Sequence, residues 1–186
     1  YRSLTYKTIP PHVHQQVVQS DLYALWREGA SLVRRDLWNV LDLGQPRTSS
    51  AGHKWAYKKA MRAGLTVDRL GVNDYAPFHA MLAGGLMEHH GAKPVHTLKE
   101  LLDLQQRFPQ VIQLWGCHAP DGELLAGTWL FELRTKCWHT QYITGSARGR
   151  DLFATDLLLE ELLNQAMTAG VGHFSLGCST DEAGRN

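Results

Sequence analysis

Apolar residues recur every three or four positions in several stretches of the chain, which is the spacing of a helix that packs on one face. This pattern predicts helices at about 20–29, 51–63, 73–90, 97–107 and 151–169. Shorter runs rich in β-branched and aromatic residues predict strands at about 31–35, 37–43, 65–70, 111–117, 123–133, 137–144 and 173–177. Residues 1–18 predict a strand followed by a turn, because Pro10 and Pro11 interrupt any regular element.

The order of these elements from residue 65 onward predicts the fold class. It reads strand, helix, helix, three strands, helix and strand, and the turn pair Asp121-Gly122 joins the first two strands of the triplet. Such short connections favour antiparallel neighbours. The 151–169 helix is apolar around more than half of its circumference, which indicates that it packs across a sheet. We therefore expect an α+β domain with a mostly antiparallel central sheet flanked by helices.

Composition excludes several classes of protein. A hydrophobic content of 44% and a charged content of 20% are typical of soluble globular chains. A net charge of +1 argues against duplex binding, and the absence of a run of about 20 apolar residues argues against a membrane span. The 3 cysteines are too few for a disulfide scaffold, so we expect a reducing, cytoplasmic setting.

Charge and composition also divide the chain. Residues 1–69 carry 11 basic and 5 acidic side chains, whereas residues 70–186 carry 8 and 13. The stretch 44–50 has the proline and hydroxyl residues of a linker. We interpret residues 1–49 as a flanking segment and residues 50–186 as the main domain. The chain starts at a tyrosine and ends in a loop-like run, so we expect a fragment of a longer protein, truncated at the C-terminal end.

A loop before the 151–169 helix carries the most informative chemistry. Gly145, Ser146, Arg148, Gly149 and Arg150 supply two glycines, a hydroxyl and two cations at a helix N-terminus, where free amides attract anions. This pattern predicts a phosphate site, and a solvated loop with exposed arginines is the alternative. The loop lacks the Gly-Lys-Ser/Thr ending of a Walker A motif and the spacing of the dinucleotide fingerprint.

The element order and this loop together resemble the GNAT acyltransferase fold. Arg148-Gly149-Arg150 lies where the Arg-Gly-x-Gly-x-Gly segment of that family begins, and this segment binds the pyrophosphate of acyl coenzyme A. Asp151 and Phe153 stand where glycines are usual in that segment, so their side chains hinder the approach of a pyrophosphate to the loop backbone. The resemblance implies acetyl-CoA or another acyl-CoA as donor, with the backbone of Ile143 and Thr144 polarising the acyl carbonyl.

Four segments are similar to FemAB-like proteins, which are tandem GNAT-fold transferases. They are residues 54–67, 95–101, 139–143 and 174–182, and the likeness extends over about residues 50–186. It implies that residues 1–49 are the end of a preceding GNAT-like half. It also implies a bacterial enzyme that transfers an acetyl or aminoacyl group directly to a small amine acceptor, such as an amino sugar or a cell-wall precursor.

The candidate catalytic residues lie on the strand at 137–144 and beyond the last strand. His139 has the near-neutral pKa of a base, Tyr142 is a candidate proton donor, and Gln141 lies between them. Regular strand alternation places His139 and Gln141 on one face and Tyr142 on the other. Asp181 is a candidate to orient the amine or accept its proton. For each residue a purely structural role is the alternative, as it is for His96, which is a candidate to line the acceptor cleft.

The sequence is also compatible with other functions. A catalytically silent GNAT-like domain that binds a ligand or partner would explain the missing glycines. The cations of the 51–63 helix suit an anionic donor such as aminoacyl-tRNA, although a solvated helix face is the ordinary interpretation. A metal centre is not expected, because strand alternation places Cys117 and His118 on opposite faces.

Overall fold

A six-stranded sheet with helices on both faces forms the protein. The structure is a computed structural model, and it describes residues 3–14, 16, 18–133 and 136–178. Its helices are α1 (Ser20–Arg27), α2 (Ala51–Arg62), α3 (Tyr75–His90), α4 (Leu98–Arg107), α5 (Ala147–Asp151) and α6 (Ala154–Thr168). Its strands are β1 (Trp38–Asp42), β2 (Thr66–Arg69), β3 (Ile112–His118), β4 (Leu124–Leu133), β5 (Cys137–Gly145) and β6 (His173–Cys178).

The strand order across the sheet is β1-β6-β5-β4-β3-β2. All neighbours are antiparallel except β5 and β6, whose connection passes through α5 and α6. This parallel crossover is the kind of connection that a helix supplies. The predicted α+β class with a mostly antiparallel sheet is confirmed.

Two hydrophobic cores lie on opposite faces of the sheet. On one face, α2 and α6 cover a cluster that includes Leu125, Leu130 and Phe174. On the other, α3 and α4 cover a cluster built around Phe78 and Trp129. The apolar circumference of α6 is explained by its position, because Leu157, Leu158, Leu162, Leu163 and Ala166 are all buried. In the part of the chain that the structure describes, no helix has the length and apolar content needed to cross a bilayer.

Several local predictions are wrong. The described residues among the first 18 form a short 3-10 turn at Pro11–Val13 and no strand. Residues 31–35 form no strand either, and the side chains of Leu32 and Val33 are exposed. These apolar runs have the composition of a strand but lack a neighbouring strand to pair with.

The boundary between the loop predicted at 145–150 and the helix predicted at 151–169 differs in the structure. Residues 147–151 form α5, a single short turn of helix capped by Ser146. Phe153 then adopts the left-handed conformation with φ of 57° and separates α5 from α6.

Candidate functional site

A β-bulge in β5 determines which side chains share the site. Tyr142 lies opposite Trp129 on β4, whereas Thr140 lies opposite Leu130, so Gln141 is the extra residue of the bulge. The alternation of faces therefore slips by one position, and His139 and Tyr142 both lie on the face covered by α3. The prediction that they lie on opposite faces is wrong, because it assumed a regular strand.

The pairing of β5 with β6 ends within the site. It extends only from Cys137 to His139, opposite His173 to Ser175, although β5 continues to Gly145. At this fork, where β5 and β6 separate after His139 and Ser175, β6 stays paired with β1, which lies along its other edge from His173 to Cys178. The β6-facing edge of β5 beyond His139 has no ladder partner among the described strands. Ile143 and Thr144, which the sequence selected for carbonyl polarisation, lie along this stretch, paired with β4 on the opposite edge.

His139 lies at the fork, packed between aromatic rings. Its ring centroid is 5.5 Å from Trp38 and 6.3 Å from Phe131, and its Nδ1 lies 3.2 Å from the hydroxyl oxygen of Ser175. Burial lowers the pKa of His139 below its ordinary value. The imidazole is therefore neutral at pH 7 and has a lone pair that can accept a proton.

The segment before residue 50 contributes directly to these surroundings. β1 is an edge strand of the same sheet, and its Trp38 packs on His139. The ring of His12 lies 5.4 Å from Trp38, and its pKa is lowered by burial and then by the nearby His139. The sequence contained no signal for these contacts, because they depend on pairing between strands more than 130 positions apart. The division of the chain at residue 49 stays a prediction.

Tyr142 is the second polar side chain on the sheet face that α3 covers, together with His139. Its hydroxyl is hydrogen-bonded to Nδ1 of His96 at 2.8 Å, and its ring stacks on Trp129 with centroids 6.0 Å apart. The carbonyl of His96 lies 3.0 Å from Nε2 of His79 on α3, which helps to hold the loop between α3 and α4 in place. Burial raises the pKa of Tyr142, so its hydroxyl is protonated at neutral pH.

Gly149 serves packing in this structure. An added Cβ would lie 2.1 Å from the carbonyl oxygen of Leu125, so only glycine lets α5 approach β4 this closely. The same carbonyl accepts the N–H of Ser146 at 2.8 Å. The Ser146 hydroxyl in turn accepts the N–H of Gly149 at 3.0 Å. These contacts fix the loop at the end of β5.

The two arginines of the loop have different surroundings. Arg148 donates to Asp121 at 2.7 Å and also to Glu123, both in the turn between β3 and β4. Arg150 donates to the carbonyl of Gly145 at 3.3 Å and lies 3.9 Å from the exposed Glu88. Two carboxylates thus balance the charge of Arg148, whereas the charge of Arg150 is only weakly paired.

A cavity of about 280 Å³ opens beside Arg150, where α3 and β5 end and α6 begins. Its lining combines apolar side chains with the guanidinium of Arg150, two hydroxyls and two imidazoles. Its lining residues are Leu82, Gly85, Leu86, His89, His90, Ile143, Thr144, Gly145, Arg150 and Thr155. His89 and His90 are exposed and contribute to the lining of this cavity. The cavity suits an anionic group attached to an apolar body.

The remaining predicted groups lie elsewhere. Asp181 falls outside the described residues. Cys117 and Cys137 are buried, and burial raises their thiol pKa values to about 12 and about 11. Within the described ranges no three His, Cys, Asp or Glu side chains converge on a metal position. The roles assigned to His139, Gln141 and Tyr142 stay predictions.

Comparison with known proteins identifies the fold. No family model matches the chain, and no curated protein matches it. Among solved structures, FemX matches 86% of this chain and 60% of its own chain, at 11% identity and a TM-score of 0.69. L-PGS from Bacillus licheniformis matches 86% of this chain and 50% of its own, at 15% identity and a TM-score of 0.66. A GNAT-family acetyltransferase from Staphylococcus aureus Mu50 matches 57% and 69%, at 9% identity and a TM-score of 0.50.

The chain has a GNAT-like fold of the FemAB-like kind, which confirms the resemblance drawn from the sequence. It spans 60% of the FemX chain and 50% of the L-PGS chain. At these levels of identity the comparisons concern the fold, and the chemistry of the site rests on its own residues.

Proposed function

We propose that the protein is an N-acyltransferase that moves an acetyl or aminoacyl group from an activated donor to an amine. The observation that supports this proposal most directly is the bulge at Gln141, which brings His139 and Tyr142 to one face of the sheet. His139 lies at the fork where β5 and β6 separate. The GNAT-like fold supports the proposal, and the Staphylococcus aureus structure is by name an acetyltransferase of that family. We place the reaction in the bacterial cytoplasm, with an amino sugar or cell-wall precursor as acceptor.

The reaction follows from the protonation states of the two side chains. The donor carbonyl lies along the free edge of β5, where a backbone amide at Ile143 or Thr144 polarises it. The amine attacks the carbonyl carbon, and His139 takes the amine proton. As the carbon–sulfur bond of a thioester donor breaks, Tyr142 gives its proton to the departing thiolate. The products are an amide and a free thiol, and proton exchange with solvent restores both side chains.

The loop and cavity support an acyl-CoA donor. We assign phosphate binding to Arg150, because it lines the cavity with Thr144 and Thr155 and its ion pair with Glu88 is long. The binding role expected of Arg148 requires it to leave Asp121 and Glu123. Gly145, Ser146 and Gly149 then act by shaping the turn that holds Arg150.

The test is calorimetric titration of the protein with acetyl-CoA. We expect saturable binding that weakens about 10- to 150-fold in Arg150→Ala, since a charge-assisted phosphate contact contributes about 1.5–3 kcal/mol. Arg148→Ala is the matched control, because it removes the same charge from the same loop, and we expect its affinity to change less than threefold.

Equal losses in the two variants would contradict the assignment to Arg150. Absence of binding by the unmodified protein would contradict an acyl-CoA donor. It would leave a catalytically silent binding domain and an aminoacyl-tRNA donor as the remaining candidates.

A second candidate donor, aminoacyl-tRNA, is favoured by the exposed face of α2. Lys54, Lys58, Lys59 and Arg62 form no ion pair with any described residue, although Lys59 lies over the rings of Trp55 and Phe153. An exposed tryptophan among cations is a surface that suits an RNA backbone and bases. Titration with tRNA at two salt concentrations tests this candidate. Affinity that falls steeply with salt supports it, and undetectable binding at low salt contradicts it.

A further inference from the structure

Ser175 lies directly beside the candidate base. It pairs with His139 at the last position where β5 and β6 are joined, and its side chain is completely buried. Its hydroxyl oxygen is 3.2 Å from Nδ1 of His139 and accepts the N–H of Gly177 at 3.3 Å. Thr140 donates its hydroxyl to the carbonyl of Ser175 at 3.2 Å, which holds the β6 backbone at the fork.

The N–H of Gly177 occupies one acceptor position of the Ser175 hydroxyl. Gly177 itself has a φ of 84°, in the left-handed region where glycine is favoured. A serine oxygen has two lone pairs. With one occupied by the N–H of Gly177, the other is available to a proton on Nδ1 of His139, which lies 3.2 Å away.

The surroundings of His139 determine which of its two ring nitrogens carries the proton. A neutral imidazole carries a single proton, and the hydrogen bond made by one nitrogen determines the state of the other. The side chain of Gln141 and the backbone of Ser175 act as acceptors that partly offset the lowering of the His139 pKa by burial. Because Ser175 lies on the Nδ1 side, a proton on Nδ1 leaves the lone pair of Nε2 free.

We propose that Ser175 is the positioning residue of the site and holds His139 in the Nδ1–H tautomer, with Nε2 free to accept the proton of the amine. This inference rests on the proposed acyl transfer for its functional meaning. The tautomer itself exists in the free protein. After proton transfer the Nδ1–H bond to Ser175 persists, so the imidazolium forms without reorientation of the ring.

The decisive experiment is two-bond 1H–15N correlation NMR of the ¹⁵N-histidine-labelled full chain at pH 7.5. The His139 signals are assigned from their loss in His139→Gln. We expect Nδ1 of His139 to have the chemical shift of a protonated nitrogen and Nε2 that of a bare one. In Ser175→Ala we expect the two shifts to move toward a mixture of tautomers.

Thr140→Val is the matched control, because it removes a hydrogen bond to the backbone of Ser175 and keeps the hydroxyl beside His139. We expect this variant to retain the tautomer of the unmodified protein. An Nε2–H tautomer in the unmodified protein, or the same tautomer in Ser175→Ala, would overturn the proposal.

A kinetic measurement separates this inference from the proposed function. We expect Ser175→Ala to lower kcat about 10- to 100-fold with little change in donor KM, and to alter the acidic limb of the pH–rate profile. An unchanged profile in an active enzyme would also overturn the proposal. Absence of acyl transfer together with the expected tautomer would contradict the proposed function, while the orientation of His139 by Ser175 would stand.

Discussion

Replacing Gly149 by alanine tests the interpretation that this loop glycine serves packing. An alanine Cβ would lie 2.1 Å from the carbonyl oxygen of Leu125 and 2.9 Å from its carbon, separations that folded proteins do not accommodate. Both atoms belong to the backbone of β4, so no side-chain rotation relieves the overlap. The short helix α5 must therefore move away from the sheet.

The expected cost follows from two contributions. Overpacking of this kind costs about 1–3 kcal/mol. The movement also lengthens the 2.8 Å hydrogen bond from the N–H of Ser146 to Leu125, whose loss costs about 1 kcal/mol. We expect the free energy of unfolding to fall by about 2–4 kcal/mol, which lowers Tm by about 5–15 °C in a protein of this size.

Thermal unfolding followed by circular dichroism measures this change, and Gly84→Ala is the matched control. Gly84 lies inside α3 with nothing within 4 Å of its added Cβ, so we expect a gain of about 0.5–1 kcal/mol there. A Tm of Gly149→Ala within about 1 °C of the unmodified protein would refute the packing argument. Loss of acetyl-CoA binding at an unchanged Tm would instead assign Gly149 to ligand contact.

Three further predictions concern the shared face of the sheet. Tyr142→Phe removes the hydroxyl that is hydrogen-bonded to His96 and that we assign as proton donor, so we expect kcat to fall about 100-fold with acetyl-CoA affinity unchanged. An unaltered kcat would contradict that role. Trp38→Ala exposes His139, so we expect its pKa, followed by NMR titration, to rise toward 6.5, and no rise would show that Trp38 does not cause the burial. The folded-state pKa values of His12 and His139 lie below 6.5, so the unfolded chain binds more protons as the pH falls below that value. The contribution of these two histidines to the free energy of unfolding is therefore fully present above pH 6.5 and is lost as the pH falls through their folded-state pKa values. We expect the urea midpoint to decrease over the same pH range, and to decrease less in His139→Gln. An equal decrease in both proteins would contradict this account.

Elements whose signals are local were predictable from the sequence. Thr97 caps α4 in a reciprocal pair with Glu100, and the apolar residues of α6 recur at the spacing that buries them against the sheet. Both features depend on residues within a few turns of one another. The turn pair at Asp121-Gly122 likewise predicted the hairpin of β3 and β4. These elements in sequence order sufficed for the fold class.

The charge of the loop was also visible in the sequence, whereas its pairing was not. Both Arg148 and Arg150 were candidates for a phosphate, because a helix N-terminus with nearby cations attracts anions. Only the folded chain shows that Arg148 faces the carboxylates of Asp121 and Glu123. Sequence spacing contains no information about that contact.

The relation between His139 and Tyr142 was decided by tertiary structure. Strand periodicity places them on opposite faces, but the bulge at Gln141 brings them to the same face. The approach of Trp38 to His139 likewise requires β1 to reach the edge of the sheet. From Trp38 onward the sequence by itself determined which segments become helices and strands, because hydrophobic periodicity and capping act over neighbouring residues. Strand register and edge pairing depend on contacts between distant segments, so only the folded chain could assemble the site.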